Sequence, residues 1–572
     1  MDCVRKPSAS AKIAMQNSLP TSALKQFDHA LALLALLLLT ACGSGPDRFM
    51  QGPPGFTLAA APGNLSVDQG GSRTSRITIT PQNGFNGSVA LAASGVPSGV
   101  SASFNPASTN SASILTFTAS ATATTGTATI TVTGTSGSIT QSASISLTVA
   151  VPPPPGSVPA SFFALNNVEP SDDPALDGMS YGAIGHPIRL AWPYIEGAKG
   201  SFDFSFYDQY ANSAPTDQNG VALFDLTLGM TPGWAVANQG TCRQIPNTST
   251  LGCQAPPDNI QDWKDFITAL IHHYNGTTAP HIQYYEIWNE WNFSDPDNGF
   301  WAGTTQQLVT MAQAAYPIVH QDPFSLVVTP STVGPATTAS DSAPSQLANY
   351  LQLGGAAAAD VASFHGNVAQ RTVLPYPLPG EPCSASGCNG TIVQLANSYR
   401  QVMDSNGMLN QQLLDTEGGF EDASITDVDQ RAAWLAQFYA LQGGLFNSDQ
   451  LQWVSWFTWG APGVAGNIET SNQTPDPAGI AYNQLSDWLV GRFPQACAQS
   501  GKLWTCPLTG AGGYQAEILW DDSKTCSGGN CTTAPQPVSN NFVKYRDLTG
   551  NSTAISNGTV PVGLKPVIVE NQ

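Results

Sequence analysis

Short runs in which apolar and polar residues alternate fill residues 56–150. They read SRITIT, GSVALAAS, SILTFTAS, ATITVTG and SASISLTV, and Gly, Asn and Pro separate them. Alternation at period two indicates strands with one buried face, and turn residues between short strands are typical of a small antiparallel sandwich. A disordered Ser/Thr-rich stalk is the alternative, and the alternation favours the sandwich.

The pattern changes after the proline-rich stretch 151–159, VPPPPGSVP, which we interpret as a semi-rigid linker. Over residues 160–493, apolar strand-like runs alternate with stretches that have apolar residues at helical spacing. Eight such runs close a parallel (β/α)8 barrel, the TIM fold. The eight predicted strands are SFFALN (from Ser161), PIRLAW (Pro187), GVALFDLTLG (Gly220), IQYYEIWNE (Ile282), SLVVTPS (Ser325), DVASFHG (Asp360), QLLDTEG (Gln412) and QWVSWFTWG (Gln452).

Strand-type patterning returns in residues 494–572, for example in YQAEILWDD and KPVIVE. The sequence therefore predicts a multidomain chain: an α/β barrel between an N-terminal all-β sandwich and a small C-terminal β domain. The strand pattern of the sandwich resembles bacterial immunoglobulin-like modules, so we expect an immunoglobulin-like domain over residues 56–150.

The first 55 residues carry an export signal. Basic residues precede the apolar run ALALLALLLL, which is too short to span a bilayer. The following Leu39-Thr40-Ala41-Cys42-Gly43 resembles a bacterial lipobox, so we predict a signal peptide over 1–42, a lipid anchor on Cys42 and a linker over 43–55. An ordinary cleavable signal is the alternative, and translation from Met15 stays open. We expect a cell-envelope lipoprotein or an extracellular protein that contacts membrane only through its anchor.

Cysteine spacing agrees with export. Apart from Cys3 and Cys42, the cysteines form four close pairs without the spacing of a zinc site. We predict disulfides that clip loops, as oxidising compartments allow. The predicted pairs are Cys242 with Cys253, Cys383 with Cys388, Cys497 with Cys506, and Cys526 with Cys531.

Composition narrows the partners. Charged residues make up 10% of the chain, the net charge is -20 and the isoelectric point is about 4.5. A protein that binds nucleic acid through phosphates is normally basic, so we expect none. The acidic, Ser/Thr-rich surface suits a neutral substrate.

Candidate catalytic residues close the predicted strands, where a barrel builds its active site. Strand four ends in Glu290 and strand seven in Glu417, and these ends face each other across the barrel mouth. Two opposed carboxyl groups suit glycoside hydrolysis. Glu290, among tryptophans, is the candidate acid/base, and Glu417 is the candidate nucleophile. The candidate substrate-binding residues are Asn289, Arg189, His365, Trp459, Trp234 and Trp291.

YYEIWNEWN, LLDTEGG and PIRLAWPYIEGAKGSFDFSFYDQY together resemble clan A of the glycoside hydrolases over residues 162–493. The layout is most similar to family 39, with family 5 cellulase-like enzymes next. The resemblance implies a (β/α)8 barrel, a retaining mechanism, Glu290 as acid/base, Glu417 as nucleophile, and binding roles for Asn289 and Arg189. This chain has His365-Gly366-Asn367 where many members have His-x-Tyr, and Trp291 replaces a frequent proline.

Other interpretations stay open at this point. Glu286 is assigned to structure as a buried ion-pair partner, Asp415 is a weaker nucleophile candidate than Glu417, and His365 alone would suit a core position. The tryptophans can equally pack in the core. No metal-binding spacing and no cofactor motif is found, so we expect neither.

The predicted function is a retaining β-glycosidase acting on an oligo- or polysaccharide. The alternative is a non-catalytic glycan-binding or adhesion protein on the same scaffold. An esterase ranks last because Gly-x-Ser-x-Gly is absent from the sequence. The sequence leaves open the glycan, exo or endo action and the oligomeric state.

Overall fold

The computed structural model describes residues 53–61, 63–151, 154–168, 174, 179–187, 190–217, 219–244, 250–293, 299–333, 342–366, 392–419, 427–460 and 466–572. Several predictions lie outside these residues: the signal peptide, the anchor on Cys42, the Cys383–Cys388 pair and the role of Arg189. No helix within the described residues is long and apolar enough to cross a bilayer. Gln82–Phe85 belong to the same compact unit as residues 53–55. Within this unit, the side-chain amide of Asn83 donates a hydrogen bond to the Pro53 carbonyl at 3.2 Å.

The N-terminal strands form two sheets, with strand orders β1-β3-β7-β5 and β2-β9-β8-β4-β6. Buried and exposed residues alternate along them, and the side chains of Ile77, Phe117, Ile130 and Leu147 meet in one core. The predicted sandwich of strands is therefore present. The strands are β1 (Gly55–Ala61), β2 (Asn64–Asp68), β3 (Ser72–Gln82), β4 (Val89–Ser94), β5 (Val100–Asn105), β6 (Ser108–Thr109), β7 (Ala112–Ala119), β8 (Gly126–Ser136) and β9 (Ile139–Ala150).

Eight parallel strands then close into a barrel, which confirms the predicted fold class. They read as apolar runs because helices cover their outer face and packed side chains fill the interior. Tyr284, Leu414 and Trp453 belong to the inner layer. The strands are β10 (Phe163–Leu165), β11 (Ala183–Ile184), β12 (Ala222–Thr227), β16 (Ile282–Glu286), β17 (Leu326–Val328), β18 (Val361–Phe364), β19 (Gln412–Gly418) and β20 (Leu451–Trp456).

The second strand was predicted wrongly. We expected it at residues 187–192, but β11 lies at Ala183–Ile184, and Ala191–Ile195 is a short helix. Gly182 and Gly185 flank β11, so the apolar run there is too short to predict a strand from sequence. The nearby run IRLAW is longer and mostly apolar, and it therefore drew the prediction. Strand four also ends earlier than predicted, at Glu286, so Glu290 belongs to the loop after it.

Helices follow the strands around the barrel. The helix at residues 305–319 begins with a capping box: the Thr304 hydroxyl accepts the N–H of Gln307, whose side chain in turn accepts the N–H of Thr304. Trp263, Phe266 and Leu270 lie on the buried face of the helix after strand three. The helices are α1 (Ala191–Ile195), α2 (Ser205–Ser213), α3 (Ile260–His273), α4 (Thr305–Val319), α5 (Ala343–Gln352), α6 (Ile392–Ser405), α7 (Val428–Gly443) and α8 (Pro477–Leu489).

A small sheet inserted in the barrel and a C-terminal β region complete the described chain. After strand three, β13 (Thr231–Pro232), β14 (Cys242–Gln244) and β15 (Leu251–Cys253) form a small sheet. After α8, a C-terminal sheet has the order β21-β23-β24-β31-β28-β29, with β22 beside β23, and two two-stranded sheets accompany it, β25-β26 and β27-β30. The strands of these three sheets are β21 (Phe493–Pro494), β22 (Ala498–Ser500), β23 (Leu503–Thr509), β24 (Gln515–Asp521), β25 (Cys526–Ser527), β26 (Asn530–Cys531), β27 (Thr533–Pro537), β28 (Lys544–Arg546), β29 (Ser552–Ala554), β30 (Thr559–Gly563) and β31 (Val567–Glu570).

Three of the predicted disulfides are present: Cys242–Cys253, Cys497–Cys506 and Cys526–Cys531. Ion pairs join the C-terminal sheet to the barrel helices, because Lys565 binds Asp429 on α7 and Arg546 binds Asp487 on α8. This β domain is therefore tied to the barrel by charge as well as by packing.

Candidate active site

Glu417 and Glu290 lie at the carboxyl ends of strands seven and four. Glu417 is the last residue but one of β19. Glu290 lies four residues beyond β16 and has a left-handed backbone conformation, with φ at 36°. A positive φ is rare for glutamate and is held here by the surrounding loops. The structure thus brings together two residues that are 127 positions apart in the sequence.

Hydrogen bonds fix the loop that carries Glu290. Its backbone N–H donates to Ser331 Oγ at 3.1 Å, and the Ser331 N–H donates to the Trp288 carbonyl at 3.0 Å. The Asn292 side chain bonds both the carbonyl and the N–H of Val333, at 3.1 and 2.9 Å. The loops after strands four and five are therefore bound to each other. These hydrogen bonds fix the position of the backbone that carries the Glu290 side chain.

His365 connects the two glutamates. Its Nδ1 lies 2.8 Å from Glu290 Oε1 and 3.6 Å from Glu417 Oε2, and its side chain is fully buried. Of these two contacts, the one to Glu290 is a hydrogen bond, whereas the 3.6 Å approach to Glu417 is too long for one. His365 thus lies beside both glutamates, and its role in substrate binding stays a prediction.

Gly366, the residue after His365, contacts strand seven. Its N–H donates to Asp415 Oδ1 at 2.8 Å, and a Cβ at this position would lie 2.2 Å from Asp415 Oδ2. No side chain fits there. Asp415 is therefore engaged by the backbone after strand six, and it also accepts a hydrogen bond from the backbone of Glu417.

His186 is a site residue that the sequence analysis missed. Its Nε2 lies 3.0 Å from Glu417 Oε2, and its ring stacks on that of His365 with centroids 5.7 Å apart. Burial, with His365 nearby, lowers the pKa of His186 to about 3, so the ring is neutral and donates from Nε2. The missed signal was the histidine two residues beyond the true second strand.

Burial also changes the acidity of the carboxyl groups. It raises the pKa of Glu290 to about 7, where an acid/base catalyst at neutral pH is most effective. Deeper in the barrel, burial raises the pKa of Asp225 and of Glu286 to about 8, and that of Asp415 to about 7. The ion pair considered for Glu286 was with Arg189, which lies outside the described residues, so that pairing stays a prediction.

The remaining predicted binding residues are placed unevenly. Asn289 is 4% exposed, and its Oδ1 has no hydrogen-bond partner in the described part of the chain. Trp291 is almost buried, at 6%, and Trp459 is fully buried. Trp459 therefore offers no open face for stacking, contrary to the subsite predicted for it.

Trp234 lies in a different cleft. Its indole N–H donates to the Glu196 carbonyl at 2.8 Å, its ring meets the Trp192 ring edge to face, and Lys199 lies over it. It lines a cavity of about 330 Å³ with Glu196 and Asp262. The structure thus assigns Trp234 no contact with the two glutamates among the described residues.

Comparisons with known proteins bear on the fold. No family model and no curated relative matches the chain. Among solved structures, a family 39 glycoside hydrolase from Bacteroides cellulosilyticus WH2 is similar at 17% identity, covering 90% of this chain and 99% of its own, with a TM-score of 0.51.

Two further structures are similar. One is the GH39 enzyme from Xanthomonas axonopodis pv. citri, at 14% identity, 73% and 95% coverage and a TM-score of 0.48. The other is a monomeric beta-xylosidase from Caulobacter crescentus CB15, at 16% identity, covering 73% of this chain and 97% of its own, with a TM-score of 0.47. At such low sequence identities we infer only the fold, and we infer it only from the Bacteroides cellulosilyticus structure. The chain has the barrel architecture of family 39 glycoside hydrolases, as the sequence predicted.

Proposed function

We propose that this protein is a retaining glycoside hydrolase that cleaves β-linked glycans, with Glu290 as acid/base and Glu417 as nucleophile. One observation carries the proposal: both carboxyl groups contact the same atom, His365 Nδ1. Contacts of 2.8 and 3.6 Å to one atom limit the separation of the two oxygens to 6.4 Å. The spacing of about 5–5.5 Å between the carboxyl groups of retaining enzymes is compatible with this limit, and the anomer of the product distinguishes retention from inversion.

Glu290 suits the acid. With a pKa near 7 it keeps a proton at neutral pH, which it gives to the glycosidic oxygen as the bond to the sugar breaks. The neighbouring aromatic side chains and the buried strand end are the physical cause, because they remove the water that would stabilise a carboxylate.

Glu417 suits the nucleophile. His186 Nε2 lies 3.0 Å from its Oε2, and a hydrogen bond donated to a carboxylate favours the ionised form. In this mechanism the Glu417 carboxylate attacks the anomeric carbon. The glycosyl-enzyme ester that results is hydrolysed when Glu290, now ionised, takes a proton from an incoming water.

The surroundings support a carbohydrate substrate. The buried, unpartnered Oδ1 of Asn289 is an acceptor suited to a sugar hydroxyl, and such a bond strengthens in the transition state of this chemistry. Trp288 and Trp301 pack edge to face, 4.9 Å apart, beside the loop of Glu290.

The test is hydrolysis of a panel of aryl β-glycosides and polysaccharides, with the anomer of the first product followed by NMR. We expect release with retained configuration in the wild type and loss of activity in Glu290→Gln and in Glu417→Ala. Glu517→Gln, in the C-terminal sheet, is the matched control and should keep full activity. Glycan affinity without release in the wild type would instead support the binding-protein alternative.

We also propose export, with a lipid anchor on Cys42. The three disulfides support it, because such bonds persist in oxidising compartments. Mass spectrometry of the mature N-terminus would show an acylated Cys42. An unmodified N-terminus beginning elsewhere would contradict the anchor.

A further inference from the structure

Three side chains of the candidate active site form a donor set for a metal ion. His186 Nε2 and His365 Nδ1 lie 3.0 and 3.6 Å from Glu417 Oε2, and the donor atoms all fall within 4.8 Å of one another. We propose that a divalent transition-metal ion of the Zn²⁺ class binds between these three residues and blocks the active site. The binding stands independently of the proposed function, whereas the inhibition rests on it.

The spacing of the donors fits a tetrahedral ion. Zn²⁺ holds nitrogen and oxygen ligands at about 2.0–2.2 Å, so neighbouring ligands in a tetrahedron are about 3.3–3.5 Å apart. The distances from Glu417 Oε2 to His186 Nε2 and to His365 Nδ1, 3.0 and 3.6 Å, lie just below and just above this range. Three protein ligands with a fourth position open to water or substrate is the usual arrangement of an accessible zinc site.

The chemistry of the donors selects among ions. Two imidazoles and one carboxylate suit Zn²⁺, Co²⁺ and similar ions, whereas Mg²⁺ and Ca²⁺ prefer oxygen ligands throughout. We therefore expect Zn²⁺ and Co²⁺ to bind and Mg²⁺ to have no effect.

The surroundings limit the affinity. A ligating histidine normally donates its second ring N–H to a carboxylate or carbonyl, and loss of such a partner weakens metal binding by about 10- to 100-fold. His186 Nδ1 and His365 Nε2 are buried without a hydrogen-bond partner among the described residues. The site is thus suited to a reversible inhibitor and not to a resident cofactor.

Occupancy would stop catalysis in two ways. A metal ion on His365 Nδ1 replaces the proton that this atom shares with Glu290 Oε1, 2.8 Å away. The same ion binds the Glu417 oxygen and withdraws charge from the nucleophile. Both carboxyl groups lose their function, and substrate and metal exclude each other.

The experiment titrates Co²⁺ into the metal-free mature protein, purified without a histidine tag, and follows the visible d–d absorption of bound Co²⁺. Zn²⁺ should displace the signal and Mg²⁺ should not. His186→Asn and Glu417→Gln should each weaken Zn²⁺ binding by more than about 100-fold, beyond the effect of losing an outer partner. His281→Asn is the matched control, because His281 binds Asp322 at 2.8 Å outside the site, and it should leave the affinity unchanged.

Zinc affinity that is the same in His186→Asn and wild type would overturn the site. Should either variant unfold, the X-ray absorption fine structure of the Zn²⁺-loaded wild type decides: two imidazoles support the site, and none or one overturns it. Metal binding without glycan cleavage would leave the site intact and refute the proposed function. Cleavage that excess Zn²⁺ does not inhibit would refute the metal site alone.

Discussion

The pKa of Glu290 predicts the alkaline limb of the pH profile. Its rise from the ordinary 4.5 to about 7 corresponds to a penalty on the order of 3 kcal/mol on the ionised form, caused by burial. With such a pKa, about half of the carboxyl groups carry a proton at pH 7 and about 1% at pH 9. We therefore expect kcat/KM to fall about 50-fold between these two pH values when the leaving group needs a proton.

The assay compares two aryl glycosides of the same sugar. A substrate with a weakly acidic phenol needs protonation, so its kcat/KM should show the alkaline limb. A dinitrophenyl substrate leaves without a proton, so its kcat/KM should stay flat across the same range. In Glu290→Gln the first substrate should lose about 10²- to 10⁴-fold in kcat/KM, the usual contribution of a general acid, and its alkaline limb should vanish.

Two results would refute this reasoning. One is an alkaline limb of equal midpoint for both leaving groups, which would assign the titration to a group other than the acid. The other is a Glu290→Gln variant whose limb persists unchanged. A limb near pH 5 would show instead that the site is more hydrated than its geometry indicates.

Three further predictions concern positioning and stability. Ser331→Ala removes the acceptor of the Glu290 N–H, so we expect about a tenfold lower kcat with the melting temperature nearly unchanged; an unaltered kcat would contradict the role of Ser331. Asp225 has a folded pKa of about 8, so the folded state holds a proton that the unfolded state releases near pH 4, and stability falls as pH rises between these values. Asp225→Asn should reduce this slope by about 1.4 kcal/mol per pH unit in denaturant titrations at pH 5 to 8, and parallel slopes would contradict it. Arg546→Met leaves Glu570 buried without its nearest cation and should destabilise the fold by about 3–5 kcal/mol while kcat stays constant; a normal unfolding midpoint would refute this.

The sequence by itself determined the alternation of strands and helices, and with it the barrel. It also determined the two glutamates, because an ionisable residue that closes an apolar strand is conspicuous in a local pattern. His365 was found by the same argument. The local disulfides followed from spacing, since cysteines separated by 5 to 11 positions are held near each other by the chain itself.

Only the tertiary structure decided which residues meet at the mouth. His186 and Glu417 are 231 positions apart, and no local signal links them; closure of the barrel brings strands two and seven to the same end. The same closure buried Trp459 and directed Trp234 to another cleft, although both follow strands as the predicted subsites required. Local pattern records whether a side chain is apolar or charged, whereas strand register and loop packing set its neighbours, and these depend on contacts between distant parts of the chain.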